Sequence, residues 1–258
     1  MFFHVISLRG VRRHWARLLA IAAALAYSPW LWGMAAHSAI GAASPRGVIS
    51  RLPTQARWVA LAFDDGPNPA AAGAILADLD RYQAHASFFV VGLNAERERR
   101  FIIAAARAGN AIENHTDGHI NLSIHTFAQD LADLKAANQA IRSISGATPH
   151  WLSPPYGAIS RAAQRAAGKL NLAIVLPTPG ERVANGAPSP SAIIRQIMAH
   201  VEPGSIIMLP DGPGNEAALK ALPTILSLLR VEGYRVGSIS QVWRETHQNI
   251  GRNSTNWR

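Results

Sequence analysis

The sequence predicts an α/β fold in which parallel strands alternate with helices. Short apolar, β-rich runs recur along the chain, and stretches with helical apolar spacing separate them, which is the pattern of βα units. The chain has 258 residues, 48% of them hydrophobic and 16% charged, which suits one barrel-sized domain with a short extension. It contains no cysteine, so a metal ion would need histidine and carboxylate ligands.

The same patterns give the ranges of the elements. Strands are predicted at 57–63, 86–91, 110–114, 148–152, 171–176, 204–209 and 234–238. Helices are predicted at 70–82, 95–108, 127–144, 160–169, 189–200 and 215–231.

The N-terminal segment carries a targeting signal. Residues 1–17 are basic, and residues 18–36 are uncharged and mainly apolar. Nineteen residues at helical rise span roughly 28 Å, close to the thickness of a hydrocarbon core. The basic flank favours a cytoplasmic N-terminus, so the following domain is expected outside the cytoplasm, in the periplasm or cell envelope. A cleavable signal peptide is the alternative to this membrane anchor.

Five segments follow from these patterns. They are a basic segment (1–17), a transmembrane anchor or signal segment (18–38), a linker (39–56), the α/β domain (57–245) and a polar tail (246–258). The first 38 residues hold four arginines and no acidic residue, which leaves +5 of the net charge of +9 for the remainder. Because no basic stripe with interleaved aromatic residues is present, nucleic-acid binding is not expected.

The first candidate site follows the first apolar strand. Asp64-Asp65-Gly66-Pro67 cannot continue that strand, so both carboxylates lie at its carboxyl end. In α/β folds, ligands bind at this end of the strands. Adjacent side chains on an extended chain diverge, so one carboxylate can ligate a cation while the other is free to accept a proton. A simple turn of favoured turn residues is the alternative interpretation.

The second candidate site is Asn114-His115-Thr116-Asp117-Gly118-His119. His115 and His119 are four residues apart, so one helical turn would place both imidazoles on one side. Two histidines and one aspartate make a three-ligand set with open positions for water and substrate, as in catalytic zinc sites. Together the two motifs predict a mononuclear metal site for hydrolysis.

With these motifs the chain resembles the polysaccharide deacetylases of the NodB-homology type, carbohydrate esterase family four. The shared segments are 63–67, 86–92 and 114–122, within a likeness that extends over roughly residues 57 to 240. The resemblance implies a distorted (β/α) barrel of parallel strands and helices. It also implies that the reaction removes an acetyl group from an N-acetylated glycan.

The resemblance assigns roles to individual residues. It implies that Asp64 is the general base, and that Asp65, His115 and His119 hold one divalent ion, expected to be zinc. It further implies that the backbone N–H of Tyr156 helps to bind the oxyanion.

Three residues are expected to contact the substrate. The resemblance implies such contacts for Pro155 and Leu209. The aromatic face of Trp151 suits a pyranose ring, although a core position is the alternative for this strand residue.

The later motifs depart from the family pattern. Ser153 stands where the family carries an arginine that pairs with the base, and Pro210 stands where it carries the general-acid histidine. The family's Asp-Trp element is not visible in residues 176–181. A missing general acid typically costs about 10²–10⁴-fold in rate. Asp211 and Glu181 are candidate replacement proton donors, although Asp211 also fits an ordinary turn.

Three functional hypotheses follow. The leading one is a membrane-anchored, metal-dependent hydrolase that removes N-acetyl or O-acetyl groups from a polysaccharide or oligosaccharide. The second is a catalytically inactive protein of the same fold that binds metal and glycan. The third is hydrolysis of another amide or ester. The metal half of the site is common to the first two, so turnover discriminates between them.

Overall fold

Parallel strands form one sheet in the described part of the chain, and helices pack on its outer face. The computed structural model describes residues 47–66, 69–187 and 189–253. The predicted basic and apolar N-terminal segments, residues 1–38, lie outside this part of the chain. Within the described ranges, no helix has the length and apolar character needed to cross a membrane.

Eight strands among the described residues form one sheet in the order β1-β6-β5-β4-β3-β2-β7, with β8 also paired to β2. Every pairing is parallel, as the alternation of strands and helices predicts. The strands are β1 (Val48–Ile49), β2 (Trp58–Asp64), β3 (Ala86–Val90), β4 (Ala111–Asn114), β5 (Trp151–Leu152), β6 (Ala173–Val175), β7 (Ile206–Pro210) and β8 (Arg235–Gly237).

The helices of the described ranges follow the strands. They are α1 (Pro69–Arg81), α2 (Gly92–Ala95), α3 (Arg99–Arg107), α4 (Phe127–Ser145), α5 (Arg161–Lys169), α6 (Pro190–Met198), α7 (Glu216–Val231) and α8 (Ile239–Asn253), with a 3₁₀ turn at Pro155–Gly157. The boundaries of α4 follow from its sequence. Thr126 and Gln129 form a capping box at its start, and Gly146 ends it with a φ of 72°.

The sheet curls into a distorted barrel. Ser153, just after β5, places its Oγ 3.7 Å from the Sδ of Met208 in β7, although three strands separate β5 from β7 in the sheet. Thr178 joins the two edges of the curled sheet. Its N–H donates to the carbonyl oxygen of Ile206 at 3.1 Å, and its Oγ1 donates to that of Ser50 at 2.6 Å.

Alternation along β2 separates two apolar layers. Val59, Leu61 and Phe63 pack against the surrounding helices, whereas Ala60 and Ala62 face the interior of the curled sheet. All seven residues of β2 are buried, as expected for a parallel strand covered on both faces. The next inward position after Ala62 is Asp64, so the strand delivers this carboxyl group to the interior at its carboxyl end.

Two elements differ from the sequence prediction. Val48–Ile49, within the predicted linker, forms β1 and pairs with β6, and two residues are too few to show a strand pattern. Ile239–Asn253 forms α8 and overlaps the predicted polar tail. This helix has few apolar residues, but three of them, Ile239, Val242 and Trp243, fill the interior of the sheet.

Candidate metal and catalytic site

The two aspartates occupy different environments at the end of β2. Asp64 is 4% exposed and pairs in register with Pro210 of β7. Asp65 has a φ of 67°, a left-handed conformation that aspartate tolerates better than most residues. Asp65 contacts His115, His119 and Asn185, and no such contact involves Asp64.

The histidine motif is a loop, which differs from the predicted helical turn. Thr116 and His119 have φ values of 63° and 54°, so the backbone turns twice within the motif. The Oδ1 of Asn114 accepts the N–H of Thr116 at 2.8 Å. Asp133 of α4 accepts the N–H groups of Asp117 at 2.7 Å and of Gly118 at 3.1 Å. These bonds, rather than helical geometry, bring the two imidazoles together.

Asp65, His115 and His119 converge on one point. The Oδ1 of Asp65 lies 3.2 Å from the Nε2 of His115 and 2.9 Å from the Nε2 of His119. The three ligand atoms lie within 4.8 Å of one another. A nitrogen–nitrogen–oxygen donor set in this arrangement fits a divalent ion of the zinc type, with coordination positions left open.

Each imidazole is oriented by a bond on its far side. The Nδ1 of His115 donates to the carbonyl oxygen of Ser153 at 2.7 Å. The Nδ1 of His119 lies 3.2 Å from the Tyr156 hydroxyl. With both Nδ1 atoms engaged, both Nε2 atoms point toward Asp65, and these are the ring atoms that would bind a metal ion.

Asn185 is a further contact of Asp65 that the sequence analysis missed. Its Nδ2 donates to the Oδ2 of Asp65 at 2.8 Å. Burial alone would raise the pKa of Asp65, but hydrogen bonds from His115, His119 and Asn185 outweigh it and hold that pKa well below its usual range. Asp65 is therefore an anion ready to bind a cation. An Asn-Gly turn after a strand is the sequence signal that marks this loop.

Arg182 is the second missed residue. Burial raises the pKa of Asp64 to about 6, and the nearby positive charge of Arg182 opposes that rise. Arg182 is exposed, and its guanidinium group lies against Gly157, where an added Cβ would be 3.3 Å from the Nη1 atom. A cation therefore stands near Asp64 even though Ser153 carries none.

The family model described as polysaccharide deacetylase matches residues 51–175. A chitooligosaccharide deacetylase from Sinorhizobium fredii is 31% identical over 205 residues, covering 75% of this chain and 95% of that protein. The chain belongs to the polysaccharide deacetylase family. A peptidoglycan-N-acetylglucosamine deacetylase from Bacillus cereus is 28% identical over 211 residues, covering 79% of this chain and 96% of that protein.

Solved structures of this family share the fold. A carbohydrate esterase family 4 pseudoenzyme from Bacillus anthracis superposes with a TM-score of 0.72 at 21% identity, over 77% of this chain and 69% of that one. A mutant of that pseudoenzyme, with restored enzymatic activity, superposes with the same score of 0.72. The distorted barrel predicted from the motifs is thereby confirmed.

Tyr156 occupies a strained position in this polysaccharide deacetylase fold. Its φ is 62° within the 3₁₀ turn, and its side chain is 63% exposed beside His119, with ring centroids 5.0 Å apart. The structure therefore gives Tyr156 a contact to a candidate metal ligand that the sequence analysis did not include. The role of its backbone N–H toward an oxyanion stays a prediction. Pro155 is buried in the same turn, and its contact with a sugar also stays a prediction.

The structure buries the side chains of Trp151 and Leu209, and their contacts with a sugar stay predictions. Trp151 has no exposed surface, and its Nε1 donates to Ser240 of α8 at 2.8 Å, so the core alternative describes this residue. Leu209 also has no exposed surface and packs in the outer layer with its register partner Phe63. Because side chains alternate along a strand, Met208 rather than Leu209 faces the interior.

The two candidate proton donors lie in different places, Asp211 near Asp64 and Asp65, and Glu181 away from them. Asp211 is 2% exposed, and its carboxyl group accepts the backbone N–H of Gly66, which fixes the loop after β2. Burial and the charges of Asp64 and Asp65 raise its pKa well above the usual range. Glu181 lies at the opposite end of β7, where its Oε1 accepts the Ser205 hydroxyl at 2.6 Å. Asp211 therefore holds the turn that the sequence favours, and its role as a proton donor stays a prediction.

Glu181 is expected to make stability depend on pH. Burial raises its pKa to about 7 from an ordinary value of 4.5, because the Ser205 bond and the charges of Arg51 and His200 offset burial only in part. The protonated acid is thus favoured in the folded state, and its stabilisation is lost as pH rises through that window. The free energy of unfolding should fall by up to about 1.4 kcal/mol per pH unit there. Glu181→Gln should remove this component.

Chemical denaturation of both proteins between pH 4.5 and 8 tests this expectation. The advantage of Glu181→Gln over the wild type should grow with pH and level off above about 7. Glu232→Gln, at an exposed position after α7, is the matched control and should follow the wild type. A difference between Glu181→Gln and wild type that stays constant across this range would contradict the prediction.

Proposed function

We propose that this protein is a metal-dependent hydrolase that removes N-acetyl or O-acetyl groups from a polysaccharide or oligosaccharide. The observation that supports it most directly is the convergence of Asp65, His115 and His119 beside the buried Asp64, at the carboxyl end of the strands. Family membership supports the same reaction class, since the relatives include chitooligosaccharide and peptidoglycan deacetylases.

Each residue has a part in the proposed reaction. A divalent ion, which we propose to be zinc, would be held by Asp65, His115 and His119 and would supply Lewis-acid polarisation of the acetyl carbonyl group. Asp64 accepts a proton from the attacking water. The positive charge of Arg182 favours the ionised, proton-accepting form of Asp64. The backbone N–H of Tyr156 donates to the developing oxyanion.

The proposed substrate is an N-acetylated glycan of the cell envelope. This follows from the relatives' substrates and from the apolar stretch within residues 18–38, which we propose as the anchor that holds the domain outside the cytoplasm. The net charge of +5 outside residues 1–38 is compatible with an anionic envelope polymer.

A second candidate function is glycan binding without turnover. The observation that favours it is the environment of Pro210 and Ser153. Pro210 pairs with Asp64 but has no proton to donate, and Ser153 contacts Met208 rather than the base. The fold is shared with a pseudoenzyme of the same family.

Acetate release separates the two candidates. The purified protein, with zinc added, would be tested on chitin oligosaccharides, peptidoglycan, an acetylated exopolysaccharide and acetylated xylan. Slow but measurable release that requires the metal would support the hydrolase. Metal bound with no release from any of these glycans would support the binding protein.

The metal content of purified variants is the simplest test of the proposed ligand set. Asp65→Ala, His115→Ala and His119→Ala should each lose stoichiometric binding of one divalent ion, because three protein ligands hold it. Metal analysis of the purified variants gives the answer. His125→Ala is the matched control, since the Nδ1 of His125 bonds to the Asn121 carbonyl oxygen outside the cluster. Undiminished stoichiometry in all three variants would refute the site.

A further inference from the structure

The loop between β6 and α6 reaches the candidate metal site through Asn185. This residue lies 120 positions from Asp65 in sequence, yet its Nδ2 donates to the Oδ2 of Asp65 at 2.8 Å. The other oxygen of the same carboxylate, Oδ1, faces both imidazoles at 2.9 Å and 3.2 Å. The two oxygens of Asp65 therefore have separate partners.

A second loop fixes the position of Asn185. The N–H of Gly186 donates to the Oδ1 of Asn215 at 3.0 Å, and the Nδ2 of Asn215 donates to the Gly212 carbonyl oxygen at 3.2 Å. Gly212 packs on the backbone of Asp65, so closely that an added Cβ would lie 2.9 Å from the Asp65 carbonyl oxygen. Asn215 is 6% exposed, and its bonds to Gly186 and Gly212 are partly buried and buried, respectively.

We propose that Asn185 is a positioning residue that holds Asp65 for single-oxygen ligation of the ion. The inference rests on the metal site of the proposed function and extends it to a loop outside the ligand motifs. With Oδ2 bonded to an amide that can only donate at that atom, Oδ1 alone is presented to the ion. Hydrogen bonds of this kind to ligand side chains typically change metal affinity by about 10–100-fold.

The same geometry means that Asn185 limits the coordination number of the bound ion. Without its amide, both oxygens of Asp65 become free to bind the ion. One more ligand atom raises the coordination number, and it lowers the intensity of the visible absorption of Co²⁺ in the site. This readout reports the geometry around the ion and is independent of turnover.

The experiment uses the full chain loaded with Zn²⁺ or Co²⁺. Competition with a chelator should give an affinity for Asn185→Ala that is about 10–100-fold lower than that of the wild type. The visible Co²⁺ absorption should weaken in the same variant. Asn94→Ala is the matched control, because the Asn94 side chain bonds to Arg97 and has no bond to the ligand cluster. Its affinity and spectrum should equal those of the wild type.

A second variant separates positioning from folding. Asn215→Ala cuts the connection between the loops but leaves the Asp65–Asn185 pair, so its affinity should lie between those of wild type and Asn185→Ala. Thermal unfolding of the metal-free proteins identifies any general loss of stability. Unchanged affinity and an unchanged Co²⁺ spectrum in a folded Asn185→Ala protein would overturn the proposal, and so would a wild type that binds neither ion. Metal binding without acetate release would overturn the proposed hydrolase and leave this inference standing.

Discussion

Asp64→Asn is expected to abolish acetate release while the protein stays folded and keeps its metal ion. An amide cannot accept the proton of the attacking water, and a positioned general base typically contributes about 10²–10⁴-fold in rate. Asp64 does not belong to the ligand cluster, so the stoichiometry of metal binding should not change. The measurement is acetate release under saturating zinc, together with metal content of the same preparation.

The electrostatics of Asp64 give this prediction an internal control. Its carboxylate lies near two other acids, since its charge raises the pKa of Asp211 and the charge of Asp65 raises its own. Replacement by a neutral amide removes this repulsion, so the free energy of unfolding should not decrease at neutral pH. A loss of activity with retained metal and retained stability would then report chemistry rather than folding.

Two outcomes would contradict the assignment of Asp64. Turnover that survives Asp64→Asn would mean that another group accepts the proton. Loss of the metal ion in Asp64→Asn would mean that Asp64 takes part in holding it. Asp65→Ala serves as the contrast, because it should lose metal and turnover together.

Local sequence patterns predicted most of this architecture because they report local physics. Seven of the strands were placed within a few residues, since buried parallel strands are continuous apolar runs. β1 was not predicted, because Val48–Ile49 is too short to show a pattern. α8 was not predicted, because most of its residues are polar and only a few apolar ones pack into the interior.

In the candidate site, too, only the residues that belong to local motifs were predicted. Asp65, His115 and His119 were predicted from two short motifs and do converge in space. Asn185 and Arg182 were missed, because their closeness to the aspartates depends on where a long loop returns to the sheet. The Asn-Gly pair marks the loop of Asn185 as a turn, but no local spacing links either residue to the aspartates.

The sequence patterns also failed to predict the direction in which some side chains point. The motif at the end of β7 predicted a contact from Leu209, but strand alternation turns this residue outward and turns Met208 inward. Likewise, a spacing of four between the histidines predicted a helical turn, whereas left-handed residues in a loop produce the same juxtaposition. Spacing along a chain fixes which residues can meet, and the backbone conformation decides how they do so.

Pro210→His is expected to raise the rate of acetate release, by at most about 10²–10⁴-fold, the usual worth of a positioned acid. Pro210 shares the inward face of β7 with Met208 and pairs with Asp64, so an imidazole there would face the same interior as the proposed base. The adjacent ladder bond runs from the Asp211 N–H to the Asp64 carbonyl oxygen at 2.9 Å. Because this bond does not involve residue 210, the strand should tolerate the change.

Adding Ser153→Arg to Pro210→His should give no further gain. Ser153 is 2% exposed and its hydroxyl contacts the Sδ of Met208, so a guanidinium group there would be buried where only a serine now fits. Removing such a charge from water costs several kcal/mol. Arg182 already places a positive charge near Asp64. The double variant should therefore be less stable than Pro210→His and no faster.

Pro210→Ala is the matched control for the gain, since it also removes the proline ring but offers no proton. Acetate release by the three variants and the wild type, measured on the same glycan with zinc bound, gives the comparison. A rate for Pro210→His no higher than that of Pro210→Ala would show that protonation of the leaving amine does not limit this protein. A double variant that exceeds Pro210→His would show that Arg182 does not supply the charge that Asp64 needs. The remaining deficit would then lie at position 153, where the family pattern has its arginine.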